Sequence, residues 1–287
     1  MSFLKLDWCG LTWTPWIRLK AGRNERKTIP KTQGVYRVRP HNEKFLVYVG
    51  QTTNLKNRTS SLASNSYKQE MPWNDPHTAA PNLWAWRQEK GWDYEVSVAS
   101  TPELTRQNRE GLECLLLWQY RIEKGESTLC NHGRFHPDYT KPSNKAQGRK
   151  GRKIDPNEPR NPVWGSSHPP LKPWKTYASS EWMGLHWTEF TGLKAAPLAP
   201  ADVGLYKIVK LDNPELLYVG ETDNLRNRLN QHRRQFSASA FSYSKLPLQM
   251  PHYQRLEMEN DLIGYHYHLT DKSPTYQFIR QKNQRAE

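Results

Sequence analysis

The chain has 287 residues with 42 Lys+Arg against 28 Asp+Glu, a formal net charge of +14 and a mean hydropathy of -0.93. At roughly 100–200 residues per domain this length supports two ordinary cores without disulfide or metal staples. No apolar run approaches the ~18 residues of a membrane span, no basic-then-apolar leader opens the chain, and three cysteines are too few for an extracellular disulfide framework, so a cytoplasmic protein with no membrane contact is expected. The excess positive charge points to a polyanionic partner.

Two blocks recur in the same order. Residues 8–21 align with 182–195, identical at eight of fourteen positions, and residues 47–58 align with 217–228, identical at eight of twelve. The chain is therefore expected to be a tandem duplication, with one copy over 1–138, a linker over 139–177 and a second copy over 178–287. Each copy opens on a Trp-rich lead-in, Trp8 with Trp13 and Trp182 with Trp187, expected to pack against its own domain.

In the first copy, Gly34–Val38 and Phe45–Val49 are short β-rich runs around a turn at Pro40–Lys44, the pattern of an antiparallel hairpin. Thr52 or Thr53 then caps a helix carrying Leu55. Thr101 with Pro102 is expected to open a later helix that Gly125 closes, with Leu112, Leu115, Leu116 and Ile122 on its apolar stripe. Glu113 follows Arg58 by 55 positions, whereas Glu259 follows Arg228 by 31. The extra length holds Trp73, Trp84, Trp86 and Trp92, which fit either a DNA-recognition loop or a local mini-core.

Between the copies, Lys141–Lys175 is rich in proline and carries the run Gly148–Lys153. Residues 141–180 hold nine Lys+Arg against two Asp+Glu, half of the net charge of the whole chain. This segment is expected to be an extended arm that contacts phosphates through Arg149, Lys150, Arg152 and Lys153, or else a solvated spacer. Cys130, His132 and His136 form a C-x-H-x3-H set without a fourth donor, a weak zinc signal.

The second copy repeats the hairpin, Gly204–Val209 and Leu216–Val219 around a turn at 212–214, followed by a helix with Leu225 that Thr222 or Asp223 caps. A last helix is expected over Tyr253–His266. Each hairpin puts one tyrosine on each strand, Tyr36 with Tyr48 and Tyr206 with Tyr218, and an arginine follows eight residues after the second glycine, Arg58 and Arg228. Phenols, a guanidinium and a glycine that permits close approach to the backbone suit a phosphate. Glu113 and Glu259 border apolar stripes, where a metal ion, a cation partner or the i,i+4 arginines Arg109 and Arg255 would relieve the charge.

Gly34-Val35-Tyr36 with Tyr48-Val49-Gly50, Arg58, Glu113 and Asn131 resembles the GIY-YIG nuclease superfamily. Gly204-Leu205-Tyr206 with Tyr218-Val219-Gly220, Arg228, His232 and Glu259 resembles it again. The resemblance implies an α+β fold of two tandem domains, each a small three-stranded antiparallel sheet flanked by helices, joined by the basic Pro-rich linker. It implies hydrolysis of double-stranded DNA, with Glu113 and Glu259 each holding Mg²⁺ or Mn²⁺ and no nucleotide cofactor. By the same resemblance Tyr36 and Tyr206 help to deprotonate the attacking water, Tyr48 and Tyr218 position the phosphate, and Arg58 and Arg228 stabilise the charge that grows on it. Lys56 and Arg226, at the start of the helix that follows each hairpin, are further phosphate contacts.

The copies depart from the pattern in opposite ways. His232 lies one helical turn after Arg228 where the first copy has Leu62, for which Lys56, Lys68 or Tyr67 are substitutes; Asn131 lies eighteen residues after Glu113 where the second copy has Gln277. The expectation is a metal-dependent endonuclease of restriction or defence type, acting as a fused pseudo-dimer, either a monomer or a homodimer of such chains. A structure-specific repair or junction nuclease and a non-catalytic DNA-binding protein are the alternatives.

Overall fold

A computed structural model describes all residues except 23, 75–77, 213–214, 237 and 280–287; part of the turn expected at 212–214 thus lies outside the described residues. The chain divides into two compact units, one of Met1–Leu104, Leu116–Pro170 and Pro251–Glu257, the other of Thr105–Leu115, Leu171–Met250 and Met258 onward. The repeat divides the sequence near 138 and 178, whereas each compact unit takes in a stretch of helix from the other copy. Among the described residues no helix is long and apolar enough to cross a membrane.

In the first unit β1 (Ile17–Arg18), β2 (Gly34–Pro40), β3 (Tyr48–Thr52) and β4 (Tyr94–Ser100) form an antiparallel sheet in the order β1-β4-β2-β3. The expected three strands are present, and a fourth is added because the lead-in pairs two residues, Ile17 with Val96 and Arg18 with Glu95. Helices α1 (Leu55–Ser66) and α2 (Ala80–Lys90) cover one face. The helix α3 (Arg106–Lys124) starts four residues after the expected Pro102, because Thr105 rather than Thr101 caps it, its hydroxyl accepting the Asn108 N–H at 3.2 Å. Ile122 falls off its apolar stripe and is exposed.

The second unit repeats this plan with β5 (Thr191–Gly192), β6 (Gly204–Lys210), β7 (Leu216–Thr222), the helix α4 (Leu225–Arg233) and β8 (Ser239–Lys245), in the order β5-β8-β6-β7. The helix α5 (His252–Thr270) is longer than expected by one residue at its start and four at its end. Helices α1 and α4 are capped by Asn54 and Asn224, whose side chains accept the Asn57 and Asn227 N–H groups at 2.9 and 3.0 Å. Of the expected caps, Thr52 and Thr222 sit two residues back and accept the cap residues' own N–H groups. An Asx cap and a preceding threonine thus satisfy successive orphan donors at the helix start.

The tryptophan lead-in has the same task in both units. Trp8 and Trp13 are buried with centroids 5.8 Å apart, and the wholly buried Arg37 guanidinium lies over Trp13 at 4.1 Å, Trp16 at 4.8 Å and Trp8 at 5.6 Å. In the second unit the buried Lys207 ammonium lies over Trp187 at 4.5 Å, Phe190 at 5.0 Å and Trp182 at 5.7 Å. Backbone carbonyls complete each cage: Phe3 and Lys5 accept from Arg37, Tyr177 and Ser179 from Lys207. Ring faces and carbonyl dipoles replace the water that a buried cation loses. The repeated lead-in therefore clamps the back of the central strand, one residue after Tyr36 or Tyr206.

Three of the four tryptophans of the first-copy insertion, Trp84, Trp86 and Trp92, favour the mini-core. Trp86 is buried on α2, stacks on Trp92 at 5.6 Å, and meets Trp164 at 5.2 Å and His136 at 4.2 Å; Trp84 meets Tyr139 at 5.8 Å. Cys130 of the weak zinc set lies in the same core.

Residues 138–154, the first part of the expected arm, are not extended. Thr140 N–H bonds to Arg152 O at 2.9 Å, Ser143 N–H to Arg149 O at 3.0 Å and Ile154 N–H to Asp138 O at 2.8 Å, so the chain folds back on itself. Lys150 pairs with Glu70 at 3.2 Å, Arg152 with Glu158 at 2.8 Å and Lys153 with Glu89 at 2.6 Å. A run of like charges is held here by carboxylates of its own unit.

The stretch of α5 in the first unit is anchored by the buried Glu257, whose Oε1 accepts Arg134 Nε at 2.9 Å and Nη2 at 2.7 Å and whose Oε2 accepts the His168 N–H at 2.8 Å, with Arg121 at 3.3 Å. In the second unit the stretch of α3 is anchored by Asn260, which donates to Cys114 O at 3.2 Å, and by Gln107, which donates to Pro274 O and Thr275 O at 2.9 Å.

Candidate active site

The hairpin of the second unit is built around two glycines. Tyr206 lies directly across from Gly220 in the β6–β7 register. A Cβ on Gly220 would stand 2.3 Å from Tyr206 Oη, and one on Gly204 would stand 2.7 Å from Ser244 O and 2.8 Å from Leu225. In the first unit Tyr36 faces Gly50 in the same register, with 2.8 Å to Tyr36 Oη. The second glycine therefore makes room for a tyrosine ring laid across the strand, not for a phosphate as its spacing alone suggested.

Around Tyr206 the structure gathers the other residues of the second motif. Its hydroxyl accepts Arg228 Nε at 3.0 Å and lies 2.9 Å from His232 Nε2. Arg228 and His232 are one helical turn apart on α4, so both point at the hairpin. Tyr218 stands beside Tyr206 with ring centroids 6.0 Å apart, and its hydroxyl accepts Arg228 Nη2 at 3.5 Å. Tyr206 is wholly buried, whereas Tyr218, Arg228 and Glu259 are part-exposed.

The electrostatics follow from this packing. Burial and the Arg228 charge lower His232 to about 4, so its imidazole is neutral near pH 7, with Nε2 in hydrogen-bond contact with the Tyr206 hydroxyl. Burial, then Tyr218, pushes the Tyr206 phenol well above its ordinary range, against the pull of Arg228. Burial and Glu259 raise Tyr218. Burial alone would lower Arg228, but the two phenols reverse this and raise it. Glu259 on α5 is raised to about 8, first by burial and then by Glu221, with Arg228 opposing. Glu221, directly after Gly220, is a residue the motif comparison passed over; its place beside the glycine was the available signal.

Gln277 and Asn131 share one structural task. Gln277 Oε1 accepts the Val219 N–H at 3.1 Å, and Asn131 Oδ1 accepts the Val49 N–H at 3.0 Å while its Nδ2 donates to Val49 O at 2.8 Å. Both are buried and clamp the backbone of the Tyr-Val-Gly strand. The departure at Gln277 thus preserves the clamp, and both amide atoms of Asn131 are engaged by the strand backbone that it holds.

In the first unit the structure brings together Tyr36, Tyr48 and Arg58. The tyrosine centroids are 5.8 Å apart and Arg58 Nε donates to Tyr36 Oη at 3.1 Å. Leu62 stands at the His232 position as a wholly buried core residue. Tyr67 does not substitute for the histidine, since its hydroxyl donates to Asp93 and it packs on Tyr94. Glu113 lies in the stretch of α3 grouped with the second unit, next to Cys114, whose thiol is raised by burial, Glu113 and Glu259. Lys56 and Arg226 occupy the second positions of α1 and α4, and Arg226 Nε donates to Ala199 O at 2.8 Å.

No curated protein and no solved structure matches the chain. Residues 203–277, from the start of the hairpin to the Gln277 clamp, match the GIY-YIG catalytic domain family, the domain type of nucleases that act on DNA.

Proposed function

We propose that the protein is a metal-dependent DNA endonuclease whose second unit holds the complete cutting centre. The observation that carries this reading is the gathering of Tyr218, Tyr206 and neutral His232, in which Arg228 bonds to both phenols, Tyr206 bonds to His232 and Glu259 borders the set.

The residues fit a hard divalent cation. A part-exposed carboxyl raised to about 8, with a second carboxylate among the causes, is a site short of positive charge. Among the described residues no group of three or more His, Cys, Asp or Glu could hold a metal, so Glu259, with Glu221 beside it, would share the ion with water and phosphate oxygens. Mg²⁺ or Mn²⁺ bound there would supply charge stabilisation on the phosphate.

The chain's own groups move the proton. Tyr218 is the phenol nearer to solvent and Tyr206 the interior one, so one proton is relayed inward: the attacking water gives its proton to Tyr218 as Tyr218 gives its own to Tyr206 and Tyr206 its own to His232 Nε2, which leaves two neutral phenols and an imidazolium. Arg228 donates to both phenol oxygens and favours transient negative charge on either. Arg228 also faces the phosphate charge that grows as the water oxygen bonds to phosphorus and the ester P–O bond breaks.

The first unit is proposed as a second domain of the same kind, supported by its matching strand order, tyrosine pair and arginine. Because Leu62 cannot accept a proton, we assign that unit to gripping DNA rather than cutting it. A restriction or defence role as a fused pseudo-dimer is the favoured biology, resting on the two phosphate-handling hairpins in one chain. The test is supercoiled plasmid with Mg²⁺ or Mn²⁺: wild type is expected to nick it, Glu259→Gln to leave it intact and Glu113→Gln to nick it still. Intact plasmid, modified DNA and branched DNA with wild type would refute the nuclease reading.

A further inference from the structure

One feature of the second unit has no counterpart in the first. His232 packs on Tyr218 at 4.8 Å and on Phe236 at 5.4 Å, and Phe236 meets Tyr276 edge-on at 5.1 Å. The series begins at buried Tyr206 and ends at Tyr276, which is 47% exposed. A continuous aromatic column thus runs from the candidate proton acceptor to the surface.

The first unit keeps the backbone of this arrangement and the two hairpin tyrosines, but none of the three rings beyond them. Tyr276 N–H bonds to Leu217 O at 2.8 Å, and Cys130 N–H bonds to Val47 O at 2.9 Å, each one residue before its Gln277 or Asn131 clamp. Where the second unit has His232, Phe236 and Tyr276, the first has Leu62, Ser66 and Cys130, all buried. The shared fold therefore does not need the column.

Tyr276 is also held in place. Thr275 and Tyr276 donate their N–H groups to Leu216 O and Leu217 O, extending the pairing of β7, and the next side chain is the Gln277 clamp. A pinned aromatic ring loses little conformational freedom on meeting a flat ligand. Exposed Arg233 and Arg234 lie between His232 and Phe236 at the end of α4, suited to backbone phosphates.

We propose that Tyr276 is a stacking platform for a nucleobase of the DNA strand whose phosphate enters the second unit. This deepens the nuclease reading and rests on it for the identity of the polymer. A strand that lays one phosphate against Tyr218 and Arg228 carries its neighbouring bases past the outer end of the column. There the ring offers a π-face to any base, so the site favours unstacked or single-stranded nucleotides without reading their sequence.

The experiment measures binding rather than cutting, so it separates the two readings. Affinity is measured for a short mixed-sequence DNA single strand and for a strand with the same sugar-phosphate backbone and no bases. Wild type is expected to prefer the strand with bases, and Tyr276→Ala to weaken that binding by about 5- to 100-fold while leaving the abasic strand unaffected. Tyr276→Phe should bind as wild type does. Tyr276→Trp should show added indole emission that is quenched by the natural strand and not by the abasic one. Equal affinity of wild type and Tyr276→Ala for the natural strand, or an equal loss on both strands, would overturn the proposal. Failure of wild type to cut plasmid overturns the nuclease reading and leaves this comparison intact.

Discussion

Tyr206 and Gly220 face each other across the β6–β7 ladder so closely that a methyl group on the glycine would stand 2.3 Å from the phenol oxygen. The Tyr-x-Gly part of the motif is thus a packing rule, in which one strand gives up its side chain so that the other can lay a ring over it. Gly220→Ala should push Tyr206 away from Arg228 and His232 and destabilise the protein by about 1–3 kcal/mol, the usual range for overpacking. Thermal unfolding reads the second effect and plasmid nicking the first; wild-type values for both would show that the ring has other room.

His232 marks the chemical difference between the units. Replacing it with leucine copies the first unit and keeps an apolar filler between Tyr218 and Phe236, so the fold should survive. Loss of the proton acceptor should slow nicking by roughly 10²- to 10⁴-fold, the range for a general base. Single-turnover rates at saturating DNA separate this from weaker binding.

Glu259 makes stability depend on pH. Its folded-state value of about 8 lies above the ordinary 4.5, so between these values the folded protein holds a proton that the unfolded chain has lost. Stability of the metal-free protein should therefore fall as pH rises from about 4.5 to 8. Glu259→Gln should remove that fall, and Mg²⁺ should stabilise wild type more at pH 8 than at pH 6, because binding must displace the proton. Melting curves across this range, with and without metal, supply the check.

The basic run is expected to contribute less to DNA binding than its charge suggests. Lys150, Arg152 and Lys153 already face Glu70, Glu158 and Glu89, whereas Arg149 has no ion-pair partner among the described residues. If all four contacted phosphates, neutralising them would reduce the salt slope by roughly 0.9 per residue. The ion pairs predict a change nearer to that of one residue, Arg149→Ala accounting for most of it. Affinity measured over a salt series distinguishes the two.

The second unit takes in Thr105–Leu115, whose Gly111 packs on Tyr267 and Ser273 so tightly that a Cβ would stand 2.1 Å from Ser273 Oγ. A fragment of residues 178–287 lacks that stretch and should expose the surface it covers. Circular dichroism and dye binding should show it poorly packed unless residues 105–115 are supplied as a peptide.

The sequence by itself determined part of the local architecture: the two hairpins, the helix after each and the repeated Tyr, Tyr-x-Gly and Arg follow from short-range pattern and from recurrence at a constant offset, whereas α2, β4, β8 and the start of α3 did not. Only the tertiary structure decided what depends on contacts between distant residues. It closed Trp8, Trp13 and Trp16 around Arg37 and gave Asn131 and Gln277 the same hold on a strand backbone despite their different side chains. It also turned a basic arm into a folded loop and moved helical stretches between compact units. Chain pattern records which face of an element is apolar, but not which of two similar copies will cover that face. Nor does it record whether a charge will meet water, a carboxylate or a cage of rings.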